Sequence, residues 1–287
     1  MGRMSQGPWT WAEQWAAWQA AVASEPGGLF AQWIVLVAIS VVAGLVIFFA
    51  TALPLHYIYY VRRREDAARW KCQPKRFLPD RLNREAMRLS TVNMTIGGVM
   101  SGTFITYVAR GGWTRLYFDW SEYGLAYLLL SAALAFFWSD GWAYYIHRAS
   151  HIRWAYKAYH RIHHRYVATT PWVTVALHPV ELAMQVVANY ALLFIIPIYA
   201  PMFAIMLVYV LVYNIIDHSG VKFTSRIPWQ PSSMFHDDHH RHFHCNFGQH
   251  LTFWDRVHGT LRRVDRRYGE TVFGGRGDGE GDEFVRY

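Results

Sequence analysis

Long runs of apolar residues without a charge alternate along the chain with short segments dense in Arg, Lys and His. The first run, Trp33 to Leu55, lies inside an interval that carries no charge between Glu25 and Arg62. About 20 apolar residues cross the roughly 30 Å hydrocarbon core of a bilayer, so this run predicts a membrane span. A second span is expected over Thr91 to Ala109, where Asn93, Thr95 and several glycines interrupt the apolar pattern. Small residues of this kind are common where membrane helices pack closely. The third span, Tyr123 to Phe137, continues through Asp140 to His147 and His151, so its end is expected to leave the bilayer as helix. Between Glu181 and Asp217 stand 35 uncharged residues. As one helix they would extend about 52 Å at 1.5 Å per residue, too long for a single crossing. Pro197 and Pro201 interrupt the run, and proline breaks or kinks a helix. The pattern predicts a helical hairpin over 182–216 with its tip near Ile198 to Pro201 and each arm short for a full crossing.

Charge sets the expected orientation. Lys and Arg number 10 in Val61 to Ser90, 5 in His147 to Pro179 and 10 in Asp217 to Tyr287, leaving only Arg3, Arg110 and Arg115 elsewhere. Basic residues mark cytoplasmic segments. The expected order is therefore an extracytoplasmic segment 1–32, spans within 33–138 with a basic cytoplasmic loop 61–90, a histidine-bearing region 139–268 containing the hairpin, and a tail 269–287. That tail, rich in Gly and acidic residues, reads as disordered. Its Arg276-Gly277-Asp278 triplet falls on the expected cytoplasmic side, which argues against an adhesion motif. The fold class is an all-α integral membrane protein of three spans plus a hairpin, with a cytoplasmic helical cap.

Composition agrees, with 53% hydrophobic and 17% aromatic residues. The net charge of +8 could serve nucleic acid, but the basic residues flank the apolar runs, so the membrane orientation rule accounts for them. Cys72 and Cys245 are far apart and neither belongs to a CxxC, which excludes a disulfide framework or a thiolate zinc site. The first apolar run begins too late for a cleavable signal peptide.

Of 15 histidines only His56 lies in the first half of the chain. HRASH places His147 and His151 four apart, one turn along one helical face. HRIHH gives His160, His163 and His164 at i, i+3 and i+4, and HDDHHRHFH repeats this spacing in His236, His239 and His240. Eight imidazoles exceed one tetrahedral zinc and suffice for two metals. No HExxH of a zinc hydrolase occurs, nor the Glu-x-x-His of carboxylate-rich di-iron bundles, so a histidine-rich pair of redox metals remains. Transporters place ionisable ligands near the bilayer midplane, whereas these boxes lie beyond the expected span ends, which disfavours a metal transporter. Asp140, an acid in a membrane helix, stands seven residues before His147 on nearly the same face and could orient a ligand imidazole. His242, His244 and His250 read as outer hydrogen-bonding partners or as polar surface. Trp142, Tyr144, Tyr145, Trp154 and Tyr156 form an interfacial belt or line a lipid tunnel.

HxxxH, HxxHH and HxxHH on one side of a few membrane helices resemble the sterol desaturase and fatty acid hydroxylase superfamily. The likeness covers Ser139 to Thr260, from SDGWAYYIHRASH through HRIHH and LHPVE to HDDHHRHFHCNFGQHLTFWDRVHGT. The ending NFGQHLTFWDRVHGT is similar to sterol C5-desaturases, and IDHSG at Ile216 to Gly220 to sterol C4-methyl oxidases. The resemblance implies two iron ions, O2 as co-substrate, and a lipid substrate that is hydroxylated or desaturated, a sterol or, alternatively, a fatty acid, carotenoid or alkylglycerol. It also implies His218 as a further ligand and His178 as another, the latter competing with a role as a hydrogen-bonded histidine at a helix start. No flavin, nicotinamide or haem motif is visible, and the EPGG at Glu25 to Gly28 lacks the histidine of the cytochrome b5 motif. A separate electron donor, a ferredoxin or cytochrome b5 with its reductase, is therefore expected at the basic face.

Overall fold

The computed structural model describes residues 28–227 and 230–264, together with Glu13, Ala16, Ala17, Ala20 and Val285. Apart from those isolated positions, the expectations for segment 1–27, for the tail and for the Arg276-Gly277-Asp278 triplet lie outside the described residues. Helix α1 (Gly28–Leu55) continues without a break as a π-helix over His56–Arg62. Helix α2 spans Asp80–Ala109, so the expected basic loop 61–90 is instead largely helical. A two-residue strand β1 (Leu116–Tyr117) leads to α3 (Gly124–Ser150). The hairpin consists of α4 (Pro179–Ala191), a 3-10 turn over Leu192–Phe194, strand β2 (Ile198–Tyr199) and α5 (Ala200–Asp217). Two short helices follow, α6 (Met234–His242) and α7 (Phe253–His258).

Among the described residues three helices are long and apolar enough to cross a membrane: Gly28–Arg62, Gly124–Ser150 and Ala200–Asp217. Helix α2, the second expected span, is not one of them, yet it lies along α1. Several of its hydroxyls are satisfied within the helix. Thr91, Thr95, Thr103 and Thr106 each donate to the carbonyl four residues earlier, which removes free hydroxyls from an apolar setting. Gly98 and Gly102 bring the two backbones together: a Cβ on Gly102 would stand 2.4 Å from Val37 Cα, and one on Gly98 2.6 Å from Val41 Cα.

The hairpin turns between Phe194 and Ala200, within the expected region. Its first arm, Pro179–Phe194, is shorter than a membrane span, as expected, whereas the second, Ala200–Asp217, is long enough for one. Strand β2 pairs in parallel with β1, Leu116 against Ile198 and Tyr117 against Tyr199, so the tip lies level with the connection between α2 and α3. Helix α5 alone, 18 residues long, extends about 27 Å. An apolar core of Phe48, Ala52, Tyr166, Trp172, Val173 and Ile215 sits beneath the histidine end. A second, at the hairpin end, gathers Leu192, Leu193, Ile198 and Phe203.

Candidate metal centre

The three histidine boxes meet at one end of the bundle. His147 faces inward from the last turns of α3, and His151 caps that helix. The HRIHH box is wound as a π-helix over Tyr156–His160 and an α-turn over Arg161–His164, a local widening that recurs at functional sites. His218 caps α5, and His236, His239 and His240 occupy α6.

Nine of these imidazoles form two groups, each with nitrogens within 4.8 Å of one another: His147, His151, His160, His164 and His239 in one, His163, His218, His236 and His240 in the other. Helical rotation explains the split. At 3.6 residues per turn, positions i and i+4 point about 40° apart, while i+3 points about 100° away from i+4. Each HxxHH box therefore sends its i and i+4 rings to one group and its i+3 ring to the other. His160 and His164 go with His239, and His236 and His240 go with His163. The groups adjoin, with the rings of His164 and His240 4.9 Å apart and those of His236 and His239 5.3 Å apart.

Hydrogen bonds fix several rings by Nδ1. His147 donates to the Phe247 carbonyl at 2.8 Å, His239 to that of Cys245 at 2.7 Å and His218 to that of Asn214 at 2.8 Å. His160 Nδ1 lies 2.9 Å and 3.0 Å from the two carboxylate oxygens of Glu181. Donation through Nδ1 leaves a lone pair on Nε2. The Nε2 atoms then converge: His160 to His151 at 2.9 Å, His151 to His164 at 3.1 Å, and His164 to His239 at 3.1 Å. Hydrogens can bridge only alternate contacts of that chain, whereas a shared cation satisfies every lone pair. Two nitrogens each about 2.1 Å from one ion and about 90° apart stand about 3.0 Å from each other, so the spacing fits a metal. Both ring nitrogens of His240 lack a hydrogen-bond partner among the described residues although His240 is fully buried, an unfavourable state that a metal relieves.

Burial, reinforced by neighbouring imidazoles, holds His151, His163, His164, His236, His239 and His240 well below the usual histidine range. Burial likewise brings His218 down to about 4. These rings are neutral at physiological pH, the state that binds metal.

Two expected participants stand elsewhere. His178 belongs to neither group; it caps the N-terminus of α4, its Nδ1 accepting from the Val180 N–H at 3.2 Å, with Pro179 opening the helix. Asp140 touches no ligand-group imidazole. Its carboxylate accepts from the His250 N–H at 2.9 Å and from Trp254 Nε1–H at 3.0 Å, tying α3 to the segment that supplies the Phe247 and Cys245 carbonyls. His242, His244 and His250 also lie outside both groups. Unforeseen was Glu181, buried beside His160; its signal was a lone acid at the head of a long uncharged run. Asp217, with an oxygen 3.7 Å from His236 Nδ1, holds the corresponding place at the end of the same run.

A cavity of about 310 Å³ opens on both groups, touching His147, His163, His218 and His236, and extends between α1, α2, α3, α4 and α5 to residues such as Gly44, Ile47 and Leu211. None of Trp142, Tyr144, Tyr145, Trp154 or Tyr156 lines it. Trp142, Tyr145 and Trp154 are exposed, while Tyr144 is fully buried against Thr260.

A membrane-helical protein with two adjoining clusters of buried histidines beside an apolar cavity is thereby defined. Residues 132–260 match the fatty acid hydroxylase family, and the histidine-bearing region is similar to the sterol desaturase and fatty acid hydroxylase superfamily. The chain is 33% identical over 156 residues to the Delta(7)-sterol 5(6)-desaturase of Candida glabrata, covering 54% of this chain and 43% of that protein. It is 29% identical over 220 residues to a Delta(7)-sterol 5(6)-desaturase of Gibberella zeae (75% and 65%), and 33% identical over 155 residues to human lathosterol oxidase (53% and 52%). The chain spans about half the length of the curated relatives it matches. No solved structure matches.

Proposed function

We propose that the protein is an oxidoreductase that binds two iron ions through the nine clustered histidines and uses O2 to hydroxylate or desaturate a lipid, a sterol or related isoprenoid. The observation that carries this reading is the pair of imidazole groups, five and four, set against one apolar cavity. Sterol-desaturating relatives support the substrate class. Bound iron would supply the O2 reduction and C–H oxidation that side chains cannot perform. The chain's own part is to present neutral imidazoles, to lock their tautomers through Glu181 and the carbonyls of Asn214, Cys245 and Phe247, and to hold an apolar substrate away from water. In this reading the histidine end faces the cytoplasm, beside the basic residues, where a separate ferredoxin or cytochrome b5 with its reductase delivers electrons.

The test is anaerobic reconstitution with ferrous iron, a metal count, and then supply of O2, reductant and donor with sterols and fatty acids, the products being read by mass spectrometry. Two irons per chain and an oxidised lipid are expected; fewer than two irons with no oxidised lipid refutes the proposal. His163→Ala and His239→Ala, one in each group, should each abolish turnover, and a fully active variant would refute that ligand assignment.

A further inference from the structure

Two residues that line the cavity beside the histidines, Asn93 and Asn214, each carry a buried carboxamide oxygen with no hydrogen-bond partner among the described residues. Asn93 of α2 is fully buried and lines the cavity. Its Nδ2 donates to the carbonyls of Val175 and Leu177, both at 2.7 Å. A carbonyl can only accept, so these two bonds use both amide hydrogens and fix which end of the group is the oxygen. Asn93 Oδ1 is buried and has no partner. Asn214 of α5, whose main-chain carbonyl accepts from His218 Nδ1–H, lines the same cavity, and its Oδ1 is also buried and without a partner. Buried acceptors are almost always paired in native proteins, so this arrangement selects an occupant that donates a hydrogen bond. An alcohol hydroxyl does so. An ether, a ketone, an ionised carboxylate and a plain hydrocarbon do not.

We propose that Asn93, with Asn214 beside it, is the specificity-determining residue for a lipid alcohol: Asn93 Oδ1 accepts the substrate hydroxyl and sets the hydroxylated end of the molecule beside the imidazole groups. The hydrocarbon remainder then runs along Gly44, Ile47 and Leu182. The assignment rests on the lipid-oxidising reading above, and it excludes a free fatty acid bound by its carboxylate at this point. It also predicts that the oxidised carbon lies towards the hydroxylated end of the substrate, because His163 and His218 line the cavity together with Asn93 and Asn214.

The experiment uses the full chain in detergent and follows energy transfer from its tryptophans to dehydroergosterol, a fluorescent sterol alcohol. Competitors are cholestanol, its methyl ether, the corresponding ketone and hydrocarbon, hexadecanol and palmitate. Cholestanol should compete about tenfold better than its ether, ketone or hydrocarbon, the worth of one net hydrogen bond. Hexadecanol outcompeting palmitate supports the same subsite with a chain alcohol as its source. Equal competition by alcohol, ether and hydrocarbon, or a preference for palmitate, overturns the assignment. Asn93→Leu should erase the preference for the alcohol while leaving hydrocarbon affinity in place; a folded variant that retains the preference overturns it too. The ligand series is decided on the unaltered protein, so misfolding of that variant does not remove the test. A protein that binds two irons but ignores the hydroxyl loses only this inference, and one that prefers the hydroxyl but binds no iron loses only the oxidase reading.

Discussion

Glu181→Ala takes away the carboxylate on which His160 rests, two oxygens at 2.9 Å and 3.0 Å from Nδ1 with both side chains buried. The Nδ1–H would then face no acceptor, at a cost of about 1–3 kcal/mol. The ring would also be free to carry its hydrogen on Nε2, the atom that points at His151. Losing an outer partner of this kind typically weakens metal binding about 10–100-fold, or about 1.4–2.7 kcal/mol, so the two estimates agree. The expected result is a loss of that size for one of two iron sites, the one built on His147, His151, His160, His164 and His239. The site built on His163, His218, His236 and His240 should keep its affinity, because His160 is not part of it. An anaerobic ferrous titration against a competing chelator reads both sites separately. Glu181→Gln retains an acceptor oxygen and should recover most of the loss. Two sites of unchanged affinity in Glu181→Ala would refute the claim that this carboxylate holds His160 for metal.

The pH dependence of the metal-free protein follows from the buried rings. Histidines titrate near pH 6.5 when unfolded, whereas the folded values lie well below that, His218 at about 4. The unfolded chain binds more protons in this window, so stability is full above about pH 6.5 and falls as pH drops towards about 4, by up to about 1.4 kcal/mol per pH unit for each ring. A melting temperature that is the same at about pH 7.5 and about pH 5 would contradict neutral burial. Asp140→Asn replaces one of two acceptor oxygens with a donor, leaving the His250 or Trp254 N–H unmet. It should cost about 1–3 kcal/mol, visible as a drop in melting temperature, with two irons still bound; loss of iron at unchanged stability would return Asp140 to a role at the metal. Gly102→Val must push α1 and α2 apart by about 1.1 Å to bring the 2.4 Å approach to Val37 Cα up to contact distance. The expected cost is about 1–3 kcal/mol, and an unchanged melting temperature in detergent would show that the helices do not pack through this glycine.

What could be read from the chain was what depends on spacing along it. Charge-free length marked α1, α3 and α5, and helical periodicity put His147 with His151 and gathered the three histidines of each HxxHH box. The division of each box between two groups follows from the same rotation, but it becomes definite only when α6 packs across the 156–164 segment, a contact between residues some 75 positions apart. Other features depend wholly on such contacts. His178 and Asp140 stand at spacings that suit a ligand and its partner, and each is drawn off by a nearer demand: the open N–H groups at the start of α4, and the N–H groups of His250 and Trp254. Hydropathy counted the hairpin's residues without showing what its tip packs against, because that is set by the pairing of Leu116 with Ile198.

The segment NFGQHLTFWDRVHGT, similar to the ending of sterol C5-desaturases, contributes no residue to either imidazole group, and its hydrogen bonds show what it does instead. Asp255 accepts from the Phe247 and Gly248 N–H groups and from the Thr260 hydroxyl, and Gly259 ends α7 in the left-handed region. Asn246, itself left-handed at φ 56°, a conformation that Asn tolerates better than most residues, donates to the Phe235 carbonyl and accepts from Arg262 N–H. These bonds fix the stretch whose Cys245 and Phe247 carbonyls take the Nδ1–H of His239 and His147. A backbone carbonyl leaves no residue signature of its own. The pattern that registers in sequence is the set of side chains needed to hold it still, so the brace can be legible where the contact it serves is not.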